Sequence, residues 1–243
     1  VQIYAKGMAI ASPFSNKMNE FINNWLNMQK AINTQISVYF CNMNFIQAEG
    51  LSLLQQLVYI DYEVLLLVNR VGIHPFLDKL TLFMRESIFH VPLYLFILIY
   101  VVQLYGKKGI WWFLGAISLI AFSDLISSHF IKDYFNRPRP CRDPNMIHYL
   151  RFLAKYCGAN GSFTSSHAVN HFAFAAYAYF TLGKISPWFK YLFVWAAFIA
   201  YSQVYVGVHF PSDVLVGGLL GMLFGWLGAR IANQTLSLQQ SSL

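Results

Sequence analysis

Charge is what this chain has least of. Only 11% of its 243 residues are Asp, Glu, Lys or Arg, where a soluble globular domain carries about a quarter. So few charges do not cover a water-facing surface, which excludes an ordinary soluble enzyme. Acidic residues are the scarcer sign, ten against seventeen basic. The net charge of +7 does not describe a nucleic-acid module, because the basic residues are scattered rather than gathered on one soluble segment. Cysteine is scarce too, and Cys41, Cys141 and Cys157 fit no metal-ligand spacing. Cys141 and Cys157 share one loop. Free thiols are the expectation for them, with a disulfide as the alternative if that loop faces an oxidising compartment. No basic stretch leads into an apolar one in the first fifty residues, so a signal peptide is not expected there.

What is abundant is apolar sequence. Runs of about 20 apolar residues are long enough to cross the hydrocarbon core of a bilayer. Five are present, at 88–105, 109–130, 166–183, 187–206 and 211–232. A sixth, at 53–70, is interrupted by Asp61, Glu63, Asn69 and Arg70, and either spans or lies in the interface. Residues 73–87 are amphipathic and read as interfacial. The expected fold class is all-α: a polytopic membrane helix bundle of five transmembrane helices plus a sixth or interfacial N-terminal helix. Residues 1–50 form a polar extension without an assigned role, 51–233 the membrane-embedded domain and 234–243 a polar tail.

Alternation of the helices sorts the polar residues. If 109–130 rises, the loop 131–165 lies at the top, 166–183 descends, 187–206 rises and the last helix descends from Pro211. Three clusters then meet on one face: Lys132 with Arg139, Ser165 with His167, and Gln203 with His209 and Asp213. Taken singly, each has an ordinary explanation as an interfacial anchor, a helix cap or a satisfied polar group. Their convergence does not. Ser165 is a suitable N-cap and Pro211 a suitable first helical residue, so His167 and Asp213 fall in first turns. Two helix N-termini, a lysine and an arginine make a pocket for a doubly charged oxyanion such as phosphate.

His209 and Asp213 supply the chemistry. Neutral imidazole is a nucleophile near neutral pH. Asp213 can accept the proton-bearing nitrogen of the ring, fixing the tautomer and stabilising the cation that forms. His167 can protonate a departing oxygen as general acid. Asp124, Ser128 and Lys132 share a helix face, and an intramembrane acid is a candidate functional group. Asp124 is expected to brace Lys132 or a neighbouring helix, with His171 one turn behind His167. Gly217, Gly221 and Gly225 form a ladder suited to close helix packing. A haem held by His167, His171 and His209 is a competing cofactor reading.

These clusters resemble the three motifs of the type 2 phosphatidic acid phosphatase family. Lys132-DYFNRP-Arg139-Pro140 matches the first motif in full. Thr164-Ser165-Ser166-His167 keeps the serine and histidine of the second. Ser202-Gln203-VYVGV-His209-FPS-Asp213 keeps every spacing of the third, with Gln203 where the family has arginine. The resemblance implies that His209 is a nucleophile forming a phosphohistidine, Asp213 its orienting partner and His167 the general acid. Lys132, Arg139, Ser165, Ser166 and Gln203 stand at phosphate-holding positions, with the Ser166 N–H as a donor. It implies no metal and no cofactor. The function expected is hydrolysis of a lipid phosphate or pyrophosphate, with undecaprenyl pyrophosphate favoured. The alternative is a catalytically impaired lipid-phosphate-binding protein, because Gln203 carries no charge. The partners are the bilayer and the lipid phosphate, with no nucleic acid. The expected location is the inner membrane, multi-pass, with the site on the outer, periplasmic face.

Overall fold

The computed structural model describes residues 52–71 and 73–236, together with Asn23. The polar extension, Asn23 apart, and the tail beyond residue 236 lie outside the described residues. Every regular element among the described residues is helical, and no strand occurs there. Helix α1 (Leu53–Arg70) begins with a capping box between Ser52 and Gln55. Helix α2 (Pro75–Phe83) begins with proline. A 3₁₀ turn (Ser87–His90) leads into α3 (Val91–Tyr105), and Gly106 joins α3 directly to α4 (Lys107–Leu125). The chain then continues through a π-helical stretch (Ile126–Ile131) into α5 (Lys132–Phe135), which left-handed Asn136 ends. After a long loop come α6 (Ser166–Leu182), a 3₁₀ turn (Pro187–Lys190), α7 (Tyr191–Tyr205) and α8 (Pro211–Leu236).

Among the described residues, three helical runs are long and apolar enough to cross a membrane: Ser87–Tyr105, Lys107–Arg142 and Pro211–Leu236. The runs expected to span at 166–183 and 187–206 form the shorter helices α6 and α7, of 17 and 15 residues, so three qualifying runs stand where five were expected. Both fall short of the usual length of about 20, and His167, Asn170 and Gln203 dilute their upper ends. Helix α1 buries Asp61 and Asn69, the residues that interrupt its apolar run. Outward-facing Leu95, Phe96, Leu114, Phe122, Leu219 and Ile231 are exposed, as suits contact with lipid tails rather than water.

Helix α6 is the centre of the bundle. Its alanines (Ala173, Ala175, Ala176, Ala178) are all buried and let the neighbouring helices approach. Trp112, Phe174, Tyr177 and Phe189 fill the space around them. The α6–α8 contact is tight at the glycine ladder. A Cβ at Gly221 would lie 2.2 Å from the Val169 carbonyl oxygen, and one at Gly225 2.3 Å from that of Ala173. Two polar contacts add α4 to this core: Trp112 Nε1 donates to Thr181 Oγ1 at 2.8 Å, and the Tyr177 hydroxyl to the Trp112 carbonyl at 3.0 Å.

The loop between α5 and α6 is closed by a disulfide between Cys141 and Cys157. This corrects the expectation of free thiols. The chain doubles back so that the two Cα atoms lie 6.1 Å apart, within bonding range, which spacing in sequence does not reveal.

Candidate active site

The first turns of α6 and α8 are clamped together where the polar residues collect. The Ser165 N–H donates to the Asp213 carbonyl at 3.1 Å, and the Ser165 hydroxyl caps α6 by accepting from Ala168 N–H. The glycine ladder allows this, since Gly217 brings α8 within contact of Ser165 and Ala168. At the end of α7 the chain needs a sharp turn, and Gly207 makes it with φ of +81° while Leu150 packs against its Cα. That turn delivers His209 to the start of α8.

Asp213 is fully buried, and a buried carboxylate has to be met by donors. Arg137 Nη1 donates to its Oδ1 at 2.9 Å. The Phe210 N–H donates to Oδ2 at 2.8 Å, and the Ser162 hydroxyl donates to the same oxygen. His209 Nδ1 lies 3.5 Å from Oδ2 and 3.4 Å from Ser162 Oγ. On the other side of the ring, Arg139 Nη1 lies 3.1 Å from Nε2. A guanidinium has no acceptor, so Nε2 presents its lone pair to Arg139 and Nδ1 carries the proton facing Asp213. Burial pushes the His209 imidazole down to about 4; its hydrogen bond to Asp213 opposes this, and the Arg139 and Lys132 charges add to it. The ring is therefore neutral at physiological pH, with a free electron pair beside a cation.

Most of the remaining predicted residues gather at the start of α6. Lys132, buried at the end of the π-helical stretch, donates to Ser166 Oγ at 2.6 Å. The Ser166 hydroxyl is 2.8 Å from that of Ser128, which donates to Asp124 Oδ1 at 3.3 Å. Asn170 Nδ2 donates to the same Asp124 oxygen at 3.0 Å. Asp124 thus ties α4 to α6 and reaches Lys132 only through two hydroxyls. Arg139 is held by the Asn160 carbonyl, 3.0 Å from Nε, and lies against Gly158. His167 is close enough to feel His209, Lys132 and Arg139 electrostatically. His171 stands one turn on from His167, their ring centroids 6.3 Å apart. Its Nδ1 is 3.3 Å from the Tyr94 hydroxyl, and its ring packs on Trp195 with centroids 4.7 Å apart. It contributes to an aromatic wall rather than to the cluster around His209. Gln203 is buried beside the site and accepts from Arg85 Nε at 3.3 Å.

Four residues of this network escaped the sequence reading. Arg137 lies inside the first motif but reads there only as a loop charge; it also pairs with Asp61 at 2.6 Å. Asp61 accepts from Ser212 N–H at 2.8 Å, tying α1 to the start of α8. An acid inside an apolar run was the available signal for Asp61. Ser162 and Arg85 carry no local signal. Among the described residues, no three His, Cys, Asp or Glu side chains converge as metal ligands.

A cavity of about 640 Å³ lies beside this cluster, with Tyr94, Ile120, Asp124, Ser166, His167 and His171 in its wall. A larger groove of about 740 Å³, between α4 and α8, is lined by Trp111, Leu114, Phe122 and Phe224. It contains no charged group and lies away from the chemistry. The arrangement as a whole can grip an oxyanion between Lys132, Arg139 and the α6 N-terminus and present an imidazole lone pair to it.

Three comparisons bear on this geometry. A family model described as the PAP2 superfamily matches residues 109–236. A lipid A 4'-phosphatase of Bacteroides thetaiotaomicron is 31% identical over 186 residues, covering 75% of this chain and 81% of that protein. A putative undecaprenyl-diphosphatase of Escherichia coli is 41% identical over 78 residues, covering 32% of this chain and 38% of that protein. Among solved structures, a transmembrane PAP2-type phosphatidylglycerolphosphate phosphatase from Bacillus subtilis superposes with a TM-score of 0.54 at 21% identity, covering 82% of this chain and 96% of that one. At that identity the likeness describes the fold.

Proposed function

Because the chain belongs to the PAP2 superfamily, we propose that it is a membrane lipid phosphatase working through His209 as nucleophile. The supporting observation is the contact of 3.1 Å between Arg139 Nη1 and His209 Nε2. It puts a phosphate-gripping guanidinium and the free electron pair at one point. A bound phosphate takes the Arg139 N–H in place of the ring and brings phosphorus next to Nε2.

The steps follow. The Nε2 lone pair forms an N–P bond as the bond from phosphorus to the lipid oxygen breaks, and that oxygen takes a proton from His167. Asp213 stabilises the ring cation through Nδ1–H. Water then attacks phosphorus, His167 takes a proton from it, the N–P electron pair returns to Nε2 and phosphate leaves. Lys132, Arg139 and the N–H groups of the first α6 turn, Ser166 included, meet the charge on the equatorial oxygens.

The substrate proposed first is the phosphate monoester of a lipid A-type glycolipid. The relative named for that activity aligns with three-quarters of the chain, 75%. Undecaprenyl pyrophosphate, the substrate favoured from sequence, is second, because the relative named for it aligns with 32%. The cavity beside His167 gives the leaving lipid room. The disulfide in the loop carrying Arg139 favours an oxidising compartment, hence the outer face of the inner membrane.

Phosphate release by the purified protein from lipid A, undecaprenyl pyrophosphate and phosphatidylglycerophosphate, with chelator present, tests the reading. Turnover should be highest on lipid A, and acid-labile, base-stable phosphate should be trapped on the parent protein. Turnover persisting in His209→Ala refutes the nucleophile.

A further inference from the structure

We propose that Arg85 is a catalytic residue that binds the transferring phosphoryl group and is held in place by Gln203. The proposal rests on the phosphatase reading above. Arg85 lies between α2 and the 3₁₀ turn at Ser87, outside every motif, and 118 positions before Gln203. Its Nε donates to Gln203 Oε1 at 3.3 Å. A guanidinium has five N–H donors in a planar fork. With Nε committed, the four on Nη1 and Nη2 remain, and among the described residues they make no hydrogen bond. No carboxylate hydrogen-bonds to Arg85 among the described residues; the adjacent acid, Glu86, is exposed and lies 3.9 Å from Lys155 Nζ, its charge reaching Arg85 without a hydrogen bond.

Gln203 carries the second observation. Its side chain is 1% exposed, and its Nε2 is buried without a partner. A buried amide donor left unpaired costs free energy, so a site that keeps one has an acceptor to offer it. A phosphate oxygen between Gln203 Nε2 and the Arg85 fork meets that need. The charge of Arg85 also reaches Arg139 and His167, the two groups that bracket the reacting phosphorus. Holding Arg85 within reach of Arg139 is unfavourable until an anion enters.

The chemistry gives the third cation a task. In phosphoryl transfer negative charge spreads over three equatorial oxygens. Lys132 and Arg139 each serve one, and Arg85 with Gln203 serves the third. Gln203, neutral where the resembled family carries arginine, then donates to the phosphate through Nε2 and positions Arg85 through Oε1. The missing charge arrives from a different element, and Oε1 of Gln203 is its anchor. The expectation of an impaired binder counts one cation too few.

Rescue is the test. Arg85→Ala should lower kcat/KM on the preferred lipid phosphate by about 10²-fold, the loss typical of one transition-state donor. It should weaken inhibition by vanadate, a transition-state mimic, by a similar factor. Arg85→Lys should recover part of the activity. Adding Gln203→Arg to Arg85→Ala returns the cation from α7 and should restore most of it. Arg85→Ala within threefold of the parent overturns the proposal, as does a loss that Gln203→Arg leaves unrepaired, which marks Arg85 as structural. Neither result touches the phosphatase reading, which fails separately if His209→Ala remains active.

Discussion

Gly221→Ala adds one methyl group where two backbones already touch. The new carbon would sit 2.2 Å from the Val169 carbonyl oxygen and 3.0 Å from Ala173 N. A carbon is comfortable at about 3.3 Å from such an oxygen, so α6 and α8 must separate by about 1 Å. No side chain can rotate away, because both obstacles are main chain. Alanine returns about 1 kcal/mol of helix propensity over glycine, and overpacking of this kind costs about 1–3 kcal/mol. The net loss of stability is therefore small, about 0–2 kcal/mol. Activity should suffer more. The same separation stretches the bond of 3.1 Å from Ser165 N to the Asp213 carbonyl and moves His167 relative to His209. A misplacement of 1 Å costs about 10²-fold in rate. The assay pairs a thermal melt in detergent with phosphate release. Gly228→Ala is the control, since its Cβ would meet no main chain within 3.4 Å, only the flexible Leu119 side chain at 3.1 Å and the Tyr177 ring at ordinary contact distance, 3.4 Å; it should keep parental turnover. Gly221→Ala melting and turning over like the parent would refute the link between ladder and site.

Three further outcomes are expected. Asp213→Asn can present an amide N–H to His209 Nδ1, moving the ring proton to Nε2, so kcat should fall about 10⁴-fold; a loss below tenfold shows that Asp213 does not set the tautomer. His209 titrates at about 4 rather than 6.5, so its labelled ring should show neutral NMR shifts down to that pH. Because only the unfolded chain binds the proton between those values, this group's contribution to stability is full above about 6.5 and is lost as pH falls toward 4. A ring titrating near 6.5 contradicts the burial argument. Reducing the Cys141–Cys157 disulfide, which joins residues 16 apart, should cost about 3 kcal/mol and lower activity, since Arg139 is held by the adjacent Gly158–Asn160 backbone. An unchanged melt with reductant shows the loop to be held by other contacts.

How many of the apolar helices span a bilayer was not readable, but the helical class and the order of those helices were, because apolar runs and their breaks are local. That is why Lys132, Arg139, Ser165, His167, Gln203, His209 and Asp213 could be assigned to one end of the bundle before any contact was known. The boundaries followed from equally local signals, Ser165 as cap and Pro211 as first residue of α8. Asp124 was legible as an acid in an apolar helix, but its partner Asn170 was not. His171 was legible as standing one turn behind His167, but the side chains that meet it were not, because helix spacing gives a direction along one helix and not the neighbour that meets it. Tyr94 and Trp195 turn it into the aromatic wall.

By itself the sequence determined the all-helical class of the described residues, their apolar faces and the residue types available for phosphate chemistry at one end. Those depend on propensity, periodicity and capping, which act within a few residues. Only the tertiary structure decided that Arg137 joins Asp61 to Asp213, that Cys141 meets Cys157, and that Arg85 stands against Gln203. Each of these pairs groups far apart in the chain, and their meeting is set by how α1 and α2 pack on α7 and α8 and by how the loop between α5 and α6 folds back. Charge acts through space, so an arginine from a different element can serve the same oxygen, and no spacing along the chain reports it.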